Sequence, residues 1–397
     1  MIPDFISYLL SLESKGIKLG LERTKKLFNA CQNPHKQFPS IQVIGTNGKG
    51  STSAMIANIC KQADYRVGLY TSPHLVKINE RIRINGVAIK DADIIEFLSK
   101  YKNVIESLNV SFFEAITAIA MWYFNKHNVD IAILETGLGG RLDSVTACES
   151  QLLVCTSISK DHQHILGDTI EKIAYEKICA LKNKMLCISA NHTQSIKNIF
   201  DNHAQSVNGT IQYIQSNAQS KHIQLNGKHQ SENEALAIHS VKALSKFNIS
   251  NHDIKKGLYS VNWPARIQKI YDRPNVYYDV AHNQASFESL CNYVNTLKGQ
   301  KILILALQQN KIVNHAISIL ENSFDHIFIT QSNIRNYKPA LELSELFSTQ
   351  KVNVISDFKK AIQLYKQYSL NTNIVIAGSH YLGPTISQEF KISFDNI

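Results

Sequence analysis

The sequence predicts an α/β protein with two domains, in which mostly parallel sheets are covered by helices. The chain has 397 residues, a length that favours two domains that can each bury a core. Short apolar runs rich in β-branched residues alternate with longer amphipathic runs, and this alternation is typical of βαβ units. A glycine-rich segment at residues 45–51 follows one apolar run and precedes a helical pattern, which is the setting of a phosphate-binding loop.

Composition excludes several broad classes of protein. Hydrophobic residues make up 44% of the chain, so wholesale disorder and collagen-like structure are excluded. No stretch approaches the roughly 20 apolar residues of a membrane-spanning helix, and the opening residues MIPDFISYLL lack the pattern of a secretory signal. The 7 cysteines are scattered and form no CxxC pair, which predicts neither a zinc site nor a disulfide framework and favours a reducing cytoplasm.

The formal net charge of +10 raises the question of a nucleic-acid partner. The basic residues are spread along the chain, with no run longer than pairs such as Lys25-Lys26 and Lys359-Lys360. Diffuse basicity suits a protein that handles anionic small molecules about as well as one that binds a phosphate backbone. Since the sequence carries no RNA-binding module and no basic stripe, we predict small-molecule partners and neither nucleic acid nor membrane.

Strand and helix patterns alternate along the first part of the chain. The predicted strands are 41–44, 67–70, 129–134, 152–156 and 186–189, and the predicted helices include 51–63, 112–124 and 170–181. The segment IRINGVAI at residues 82–89 interrupts this series. Its Asn85-Gly86 pair between alternating residues predicts a β-hairpin.

A second, shorter series begins after Trp263-Pro264. Its predicted strands are 276–278, 302–307, 326–330, 352–355 and 373–377, and its predicted helices are 284–297, 313–322 and 357–368. A helix ends near 258–264, where proline prevents its continuation. We therefore predict domains at 1–262 and 263–397, with an active site in the cleft between them.

The strongest local motif is GTNGKGS at residues 45–51. Its glycines would let backbone N–H groups surround phosphate oxygens at a helix N-terminus. Lys49 would reach the terminal phosphates, and Ser51 could face a Mg²⁺ ion. The loop is shorter than the usual G-x-x-x-x-G-K-[ST], and Gly50 separates the lysine from the serine, so a plain glycine-rich turn is the alternative.

Three other polar clusters also follow predicted strands. They contain Ser72, Glu135 and the pair Asp161-His162. Because the carboxyl ends of parallel strands form one edge of a sheet, these side chains should lie beside the phosphate loop. A hydroxyl, a carboxylate and an imidazole next to a triphosphate predict a magnesium site, although histidine is an unusual Mg²⁺ ligand. Taken singly, Ser72 is better explained as part of a turn, Glu135 as a capped strand end and His162 as a hydrogen-bonded histidine; their joint placement is what favours a functional site.

With these motifs established, the chain resembles the folylpolyglutamate synthase/dihydrofolate synthase family of the Mur ligase superfamily. The resemblance extends from about Gly20 to about Gly383. It rests on GTNGKGS (45–51), TSPHL (71–75), NERIRING (79–86), FFEAITAIA (112–120), LETGLGGRLD (134–143), TSISKDHQHILGDT (156–169), EKIAYEK (171–177), WPARIQ (263–268), YDVAHNQ (278–284) and AGSHYLG (377–383). So many motifs in order are far more specific than the phosphate loop alone.

The resemblance implies a fold and a reaction. The fold would be of the Mur ligase type, a P-loop parallel-sheet ATPase domain followed by a smaller Rossmann-like domain. The family phosphorylates a pteroate or folate carboxylate with ATP, and the α-amine of L-glutamate then attacks the acyl phosphate. Positioning and charge neutralisation by Mg²⁺, lysine and arginine would supply most of the catalysis.

Site residues are carried over by motif. The resemblance assigns nucleotide binding to Thr46, Asn47, Gly48, Lys49, Gly50, Ser51, Asn233, Arg266 and Asp279. It assigns one magnesium ion to Ser51 and Ser72 and a second to Glu135 and His162. Its catalytic candidates are Lys49, Glu135, His162 and Lys177, and its candidates for the glutamate and folate side are His74, Arg81, Asp143, His282 and Ser379. Lys177 matches the lysine that is carbamylated in the family, whereas periodicity alone would make it a solvated lysine.

The sequence also departs from the family pattern. Ala265 stands where a glycine usually precedes the arginine, so we expect a slightly different local backbone there. Ser144-Val145-Thr146 replaces a common Ala-Thr-Asn, which puts fine specificity near the pterin in question, and Gln284 replaces a common proline. The SPHL form of the second motif resembles the bifunctional bacterial type, so we predict both activities in a cytoplasmic monomer. The alternatives are a monofunctional folylpolyglutamate synthase, another Mur-type amino-acid ligase, and a P-loop nucleic-acid-binding protein.

Overall fold

The computed structural model describes residues 2–215, 223–334, 336–395 and 397, and their strands form two sheets. The first sheet consists of β1 (Ser40–Ile44), β2 (Val67–Tyr70), β3 (Ile82–Ile84), β4 (Val87–Ala88), β5 (Ile131–Glu135), β6 (Leu152–Cys155), β7 (Leu186–Ala190) and β8 (Thr210–Ile214). Their spatial order is β4-β3-β2-β5-β1-β6-β7-β8. All neighbours are parallel except β2 with β3 and β3 with β4, so the Asn85-Gly86 hairpin is confirmed.

The second sheet is built in the same way from the later part of the chain. It consists of β9 (Gln268–Asp272), β10 (Asn275–Asp279), β11 (Lys301–Leu305), β12 (His326–Gln331), β13 (Val352–Asp357) and β14 (Asn373–Ala377). The spatial order is β13-β12-β11-β14-β10-β9, and only β9 is antiparallel to its neighbour. The predicted α/β fold class with mostly parallel sheets is confirmed.

Helices cover both faces of the first sheet. They are α1 (Ile2–Ser11), α2 (Glu22–Ala30), α3 (Lys49–Gln62), α4 (Asp91–Ser107), α5 (Phe112–Lys126), α6 (Gln163–Leu166), α7 (Ile170–Ile178), α8 (Gln194–Ser206), α9 (Gln230–Lys242) and α10 (Asn251–Ser260). Strand β5 shows why its sequence is continuously apolar. Ile131 and Ile133 pack with α3, α9 and α10, whereas Ala132 and Leu134 pack on the opposite face with α4 and α5. Both faces of a central parallel strand are therefore buried.

The second sheet is covered by shorter helices. They are α11 (Gln284–Val294), α12 (Ile317–Ser323), α13 (Ala340–Ser344), α14 (Phe358–Ile362) and α15 (Gly383–Phe390). Strand β11 divides its side chains in the same manner, with Leu303 and Leu305 in one apolar cluster and Ile302 and Ile304 in the other. Among the residues described, no helix combines the length and apolar character needed to cross a membrane.

Several predicted boundaries were wrong. The helix predicted at 170–181 ends at Ile178. The helices predicted at 313–322 and 357–368 are each part α-helix and part 3₁₀ helix, at Asn314–Ala316 and Gln363–Gln367. Strands β8 and β9 were not predicted, because each exposes polar side chains along much of its length. The domain boundary at 262/263 falls between α10 and β9 and stays a prediction.

Candidate active site

The carboxyl edges of both sheets face one cavity of about 620 Å³. From the first sheet, the loops after β1, β2 and β6 and the end of β5 reach it, and from the second sheet the segments after β10, β11 and β14 reach it. The predicted site residues that line the cavity are Thr46, Asn47, Gly48, Lys49, Gly50, Ser51, Ser72, Arg81, Glu135, Asp143, His162, Lys177, Arg266, Asp279, His282 and Ser379. Residues up to 333 positions apart in sequence thus share one space.

Two glycines of the phosphate loop have no room for a side chain. Gly45 has φ 140°, and a Cβ there would lie 1.9 Å from Thr156 Oγ1. Gly48 has φ 88°, and a Cβ there would lie 2.4 Å from Asn233 Oδ1. The Thr46 backbone N–H donates to the Ser157 carbonyl at 2.7 Å, which ties the loop to the strand end beside it. Glycine is therefore required at 45 and 48 for steric as well as conformational reasons.

The first turn of α3 presents an anion-binding geometry to the cavity. The helix begins at Lys49, and its unpaired N–H groups and dipole favour a negatively charged ligand. Lys49 Nζ donates to the Thr46 carbonyl at 3.1 Å, close above the loop. Ser51 Oγ is buried and has no hydrogen-bond partner among the described residues. A buried hydroxyl without a hydrogen-bond partner is energetically unfavourable unless a bound ligand supplies that partner.

Donors suited to a divalent cation line the same cavity as this hydroxyl. Glu135 is buried, and its Oε2 accepts from the Ser72 backbone N–H at 3.1 Å. Burial raises the Glu135 pKa, while Lys49 acts in the opposite direction. Burial lowers the His162 pKa to about 3, so its ring is neutral and able to ligate. No cluster of three or more His, Cys, Asp or Glu suited to a metal occurs in the described parts of the chain.

This sparse set fits magnesium better than a transition metal. Mg²⁺ is commonly held by one or two carboxylates, waters and substrate phosphates rather than by an all-protein cage. The Ser51 hydroxyl, which has no partner among the described residues, and the buried carboxylate of Glu135 match that description. The grouping of Ser51, Ser72, Glu135 and His162 around one cavity is observed, whereas their roles as ligands stay predictions.

Lys177 lies under the phosphate loop. It is 5% exposed, and its Nζ donates to the Gly45 carbonyl at 2.7 Å. Burial first, and then the nearby Lys49 charge, lower its pKa from 10.5 to about 7. A solvated lysine on an amphipathic face, the reading from periodicity alone, was wrong.

Arg266 is presented by an unusual backbone. Ala265 has φ 58° and Ile267 has φ 48°, a left-handed conformation that disfavours residues other than glycine. Gln268 Oε1 accepts from the Ala265 N–H at 2.8 Å, and Asp279 Oδ2 accepts from the Ile267 N–H at 2.7 Å. These hydrogen bonds hold the turn in place. The positive φ at position 265 explains why glycine would suit that position. The strained turn directs Arg266 into the cavity.

Three predicted site residues that line the cavity, two aspartates and one serine, also accept hydrogen bonds from backbone N–H groups. Asp143 accepts from the Leu138 and Val145 N–H groups at 2.8 and 2.9 Å, and burial raises its pKa to about 6. Both Asp279 oxygens accept backbone N–H groups, and Ser379 Oγ accepts from the Tyr381 N–H at 3.2 Å. Each therefore shapes the loop on which it lies.

Two predicted site residues lie behind the cavity wall. His74 Nδ1 accepts from Arg81 Nε at 3.0 Å, and its ring centre lies 6.3 Å from that of Tyr381, so His74 contacts two residues of the lining without being one of them. Asn233 is 4% exposed and donates from Nδ2 to Gln230 Oε1 at 2.9 Å, packed against Gly48. Neither is among the lining residues, because the loop and the arginine stand in front of them.

The cavity also includes residues that the sequence analysis did not select. They are Glu13, Leu19, His229, Lys311 and His380 among others. Asp161, which the sequence analysis named beside His162 without giving it a role, also lines the cavity. Asp161, Lys311 and His380 each follow a strand of the sheets, the same signal that selected Glu135. The sequence carries no sign of the loop at 16–19, because its position depends on packing of the first helices.

The arrangement combines two kinds of chemistry. An anion site is formed by the start of α3 with Lys49 and Arg266, and a buried carboxylate and a hydroxyl offer oxygen donors beside it. Phe112 and Phe113 add apolar wall, and the Arg81 guanidinium lies 5.2 Å from the Phe112 ring centre. A nucleoside triphosphate and an aromatic acid could therefore meet here.

Comparisons with known proteins show what the chain is similar to. A family model described as Mur ligase, glutamate ligase domain, matches residues 265–380. The chain is 36% identical over 308 residues to the dihydrofolate synthase/folylpolyglutamate synthase of Bacillus subtilis, which covers 69% of this chain and 72% of the relative.

Solved structures are similar over nearly the whole length. E. coli FolC in complex with DHPP and ADP gives a TM-score of 0.89 at 25% identity, covering 98% of this chain and 97% of that chain. The bifunctional folylpolyglutamate synthase/dihydrofolate synthase of Yersinia pestis, complexed with AMPPNP and Mn ion, gives a TM-score of 0.87 at 25% identity, covering 98% of both chains.

Proposed function

The chain belongs to the dihydrofolate synthase/folylpolyglutamate synthase family of the Mur ligase superfamily, and from this premise we propose that it joins L-glutamate to dihydropteroate and to folates. It is an ATP-dependent ligase that forms ADP. The observation that carries the proposal is the single cavity in which the phosphate loop of the first sheet faces Arg266 and His282 of the second. Substrates held on both sides of this cleft can react without leaving it.

The reaction has two steps. A carboxylate oxygen of the acceptor takes the γ-phosphoryl group of ATP, so that ADP leaves and an acyl phosphate forms. The neutral α-amine of glutamate then attacks the carbonyl carbon, the nitrogen gives up one proton to solvent or to the departing phosphate as the amide forms, and phosphate leaves with the electron pair of the broken C–O bond. Lys49 and Arg266, with the start of α3, would stabilise the charge on the transferred group.

Ser51, Ser72, Glu135 and His162 would hold magnesium. Bound there, the ion would neutralise the phosphate oxygens of ATP. The buried Ser51 hydroxyl that lacks a partner supports this assignment. Asp143, Phe112 and Phe113 would enclose the aromatic part of the acceptor, and His282 and Ser379 would face glutamate.

We also propose that Lys177 is carbamylated. Its neutral amine would attack CO₂, form an N–C bond and release one proton, which converts an uncharged amine into an anion beside the phosphate loop. Support comes from its burial, which lowers the pKa to about 7 and so maintains a neutral, nucleophilic amine near physiological pH. A carbamate signal in ¹³C NMR after incubation with ¹³C-bicarbonate, absent in Lys177→Met, is expected, and identical spectra for both proteins would overturn the assignment.

The function is tested by phosphate release from Mg-ATP with L-glutamate, with dihydropteroate or tetrahydrofolate as acceptor. Release with both acceptors is expected from a bifunctional enzyme, and release with only one identifies a monofunctional enzyme. Lys49→Ala serves as the inactive control. No release with either acceptor, from protein that still binds ATP, would contradict the proposal and favour another Mur-type ligase. A monomeric state, a cytoplasmic location and the absence of nucleic-acid binding stay predictions.

A further inference from the structure

One carboxylate next to the first sheet is bound by three side chains that follow strands of the second. Asp161 Oδ1 accepts from Lys311 Nζ at 2.9 Å. Its Oδ2 accepts from Asn283 Nδ2 at 3.2 Å and lies 3.4 Å from His282 Nε2. The side chains of Asp161 and Lys311 are 13% and 8% exposed. In such dry surroundings a charged hydrogen bond is much stronger than at the surface, and an unpaired charge is unfavourable.

Asn283 extends this contact to the phosphate loop. Its amide and that of Asn47 bind each other reciprocally, at 3.1 and 3.0 Å. Asn283 also begins α11, where its Oδ1 accepts from the Ser286 N–H at 3.0 Å. One side chain therefore fixes a helix of the second sheet to the loop that would hold the phosphates.

Asp161 also controls the backbone of its neighbour. Its Oδ1 accepts from the His162 N–H at 2.8 Å, and His162 has a left-handed φ of 49°. This local hydrogen bond offsets the unfavourable conformation that directs His162 into the cavity. The same carboxylate thus contacts both sides of the cleft.

We propose that Asp161 and Asn283 are positioning residues that hold the two sheet edges at reacting distance. They act through Asn47, His162, His282 and Lys311, and need not touch substrate. The inference rests on the proposed function, because it supplies the reason why the edges must approach: the acyl phosphate forms beside Asn47, and glutamate arrives from the side of His282. Loss of the contact opens the cleft and weakens use of glutamate.

The first test is Asn283→Asp. Aspartate retains the oxygen that caps α11, but it places two carboxylates about 3 Å apart, where they repel. We expect the KM for L-glutamate to rise by about tenfold, within the range of coupling between contacting residues. We also expect a larger radius of gyration by small-angle scattering in the presence of AMPPNP, with unchanged far-UV circular dichroism.

The second test restores the pair with its polarity reversed. In the double variant Asp161→Asn/Asn283→Asp, an amide at 161 can donate to a carboxylate at 283. We expect the double variant to have a smaller radius of gyration and a lower KM for L-glutamate than either single variant, Asp161→Asn or Asn283→Asp, with both values close to those of the parent protein. If the two residues had merely structural and independent roles, the effects of the two single substitutions would add in the double variant instead.

Asn275→Asp is the matched control. Asn275 makes a similar amide contact, to Asn373 at 3.0 Å, but at the opposite end of β10 from the cavity. Its KM and scattering should equal those of the parent protein. Parental KM and radius in Asn283→Asp, or additive losses in the double variant, would overturn the inference. The scattering comparison needs no turnover, so it decides the inference even if no glutamate is joined.

Discussion

A comparison of the parent protein with Lys177→Met should show how one buried amine makes the free energy of unfolding depend on pH. Burial and the Lys49 charge lower the Lys177 pKa from 10.5 to about 7. At 1.36 kcal/mol per pKa unit, the difference of 3.5 corresponds to about 5 kcal/mol. Between these two pH values the unfolded chain binds one more proton at this site than the folded chain, so stability rises with pH.

The expected curve follows from that sign. The free energy of unfolding of the parent protein, relative to Lys177→Met, should rise by about 1.4 kcal/mol per pH unit between pH 7 and 10. It should level off below pH 7, where both states are protonated. Other titrating groups are shared by the two proteins and cancel in the difference.

The assay is urea unfolding followed by tryptophan fluorescence, with chelator and without CO₂. Lys172→Met is the control, because Lys172 lies on the same helix with a side chain that is 64% exposed. Its difference curve should be flat. A flat curve for Lys177→Met as well would refute the reasoning that the buried amine is neutral in the folded protein.

Three further substitutions test the phosphate loop. Gly48→Ala should weaken AMPPNP binding by calorimetry and destabilise the fold by at least about 1–2 kcal/mol, because φ is 88° and a Cβ would lie 2.4 Å from Asn233 Oδ1; parental affinity would contradict this. Lys49→Ala should reduce kcat by about 100-fold or more while the thermal melt is unchanged, and retained turnover would exclude the assigned nucleotide site. Ser51→Ala should raise the Mg²⁺ concentration for half-maximal activity without lowering the stability of the metal-free protein, because its buried hydroxyl has no described partner. A clear loss of metal-free stability would indicate a structural role instead.

The sequence could predict the central strands because burial on both faces leaves a simple signature. Strands β2 and β14 match their predicted ranges, since every residue in them is buried and, apart from Asn373, none carries an amide or a charge. The edge strand β9, with sequence QKIYD, was missed because it is mostly exposed and only Ile270 is buried. Periodicity cannot separate such a strand from a polar loop.

The candidate site was predictable where residues follow strands, and less so where contacts are distant in sequence. The joint placement of Ser72, Glu135 and His162 follows from the parallel sheet. The ion pair of Asp161 with Lys311 joins residues 150 positions apart, and spacing carries no information about that distance. Burial also decides the state of Lys177, which looks like a surface lysine in the sequence.

The most direct test of the acyl-phosphate reaction uses an acceptor whose carboxylate is labelled with oxygen-18. Dihydropteroate labelled in this way is incubated with the enzyme, Mg-ATP and L-glutamate, and the released phosphate is analysed by mass spectrometry. Because the carboxylate oxygen attacks phosphorus and later leaves with it, each phosphate should carry one labelled oxygen. Phosphate without label, formed at the same rate as the glutamylated product, would contradict the mechanism.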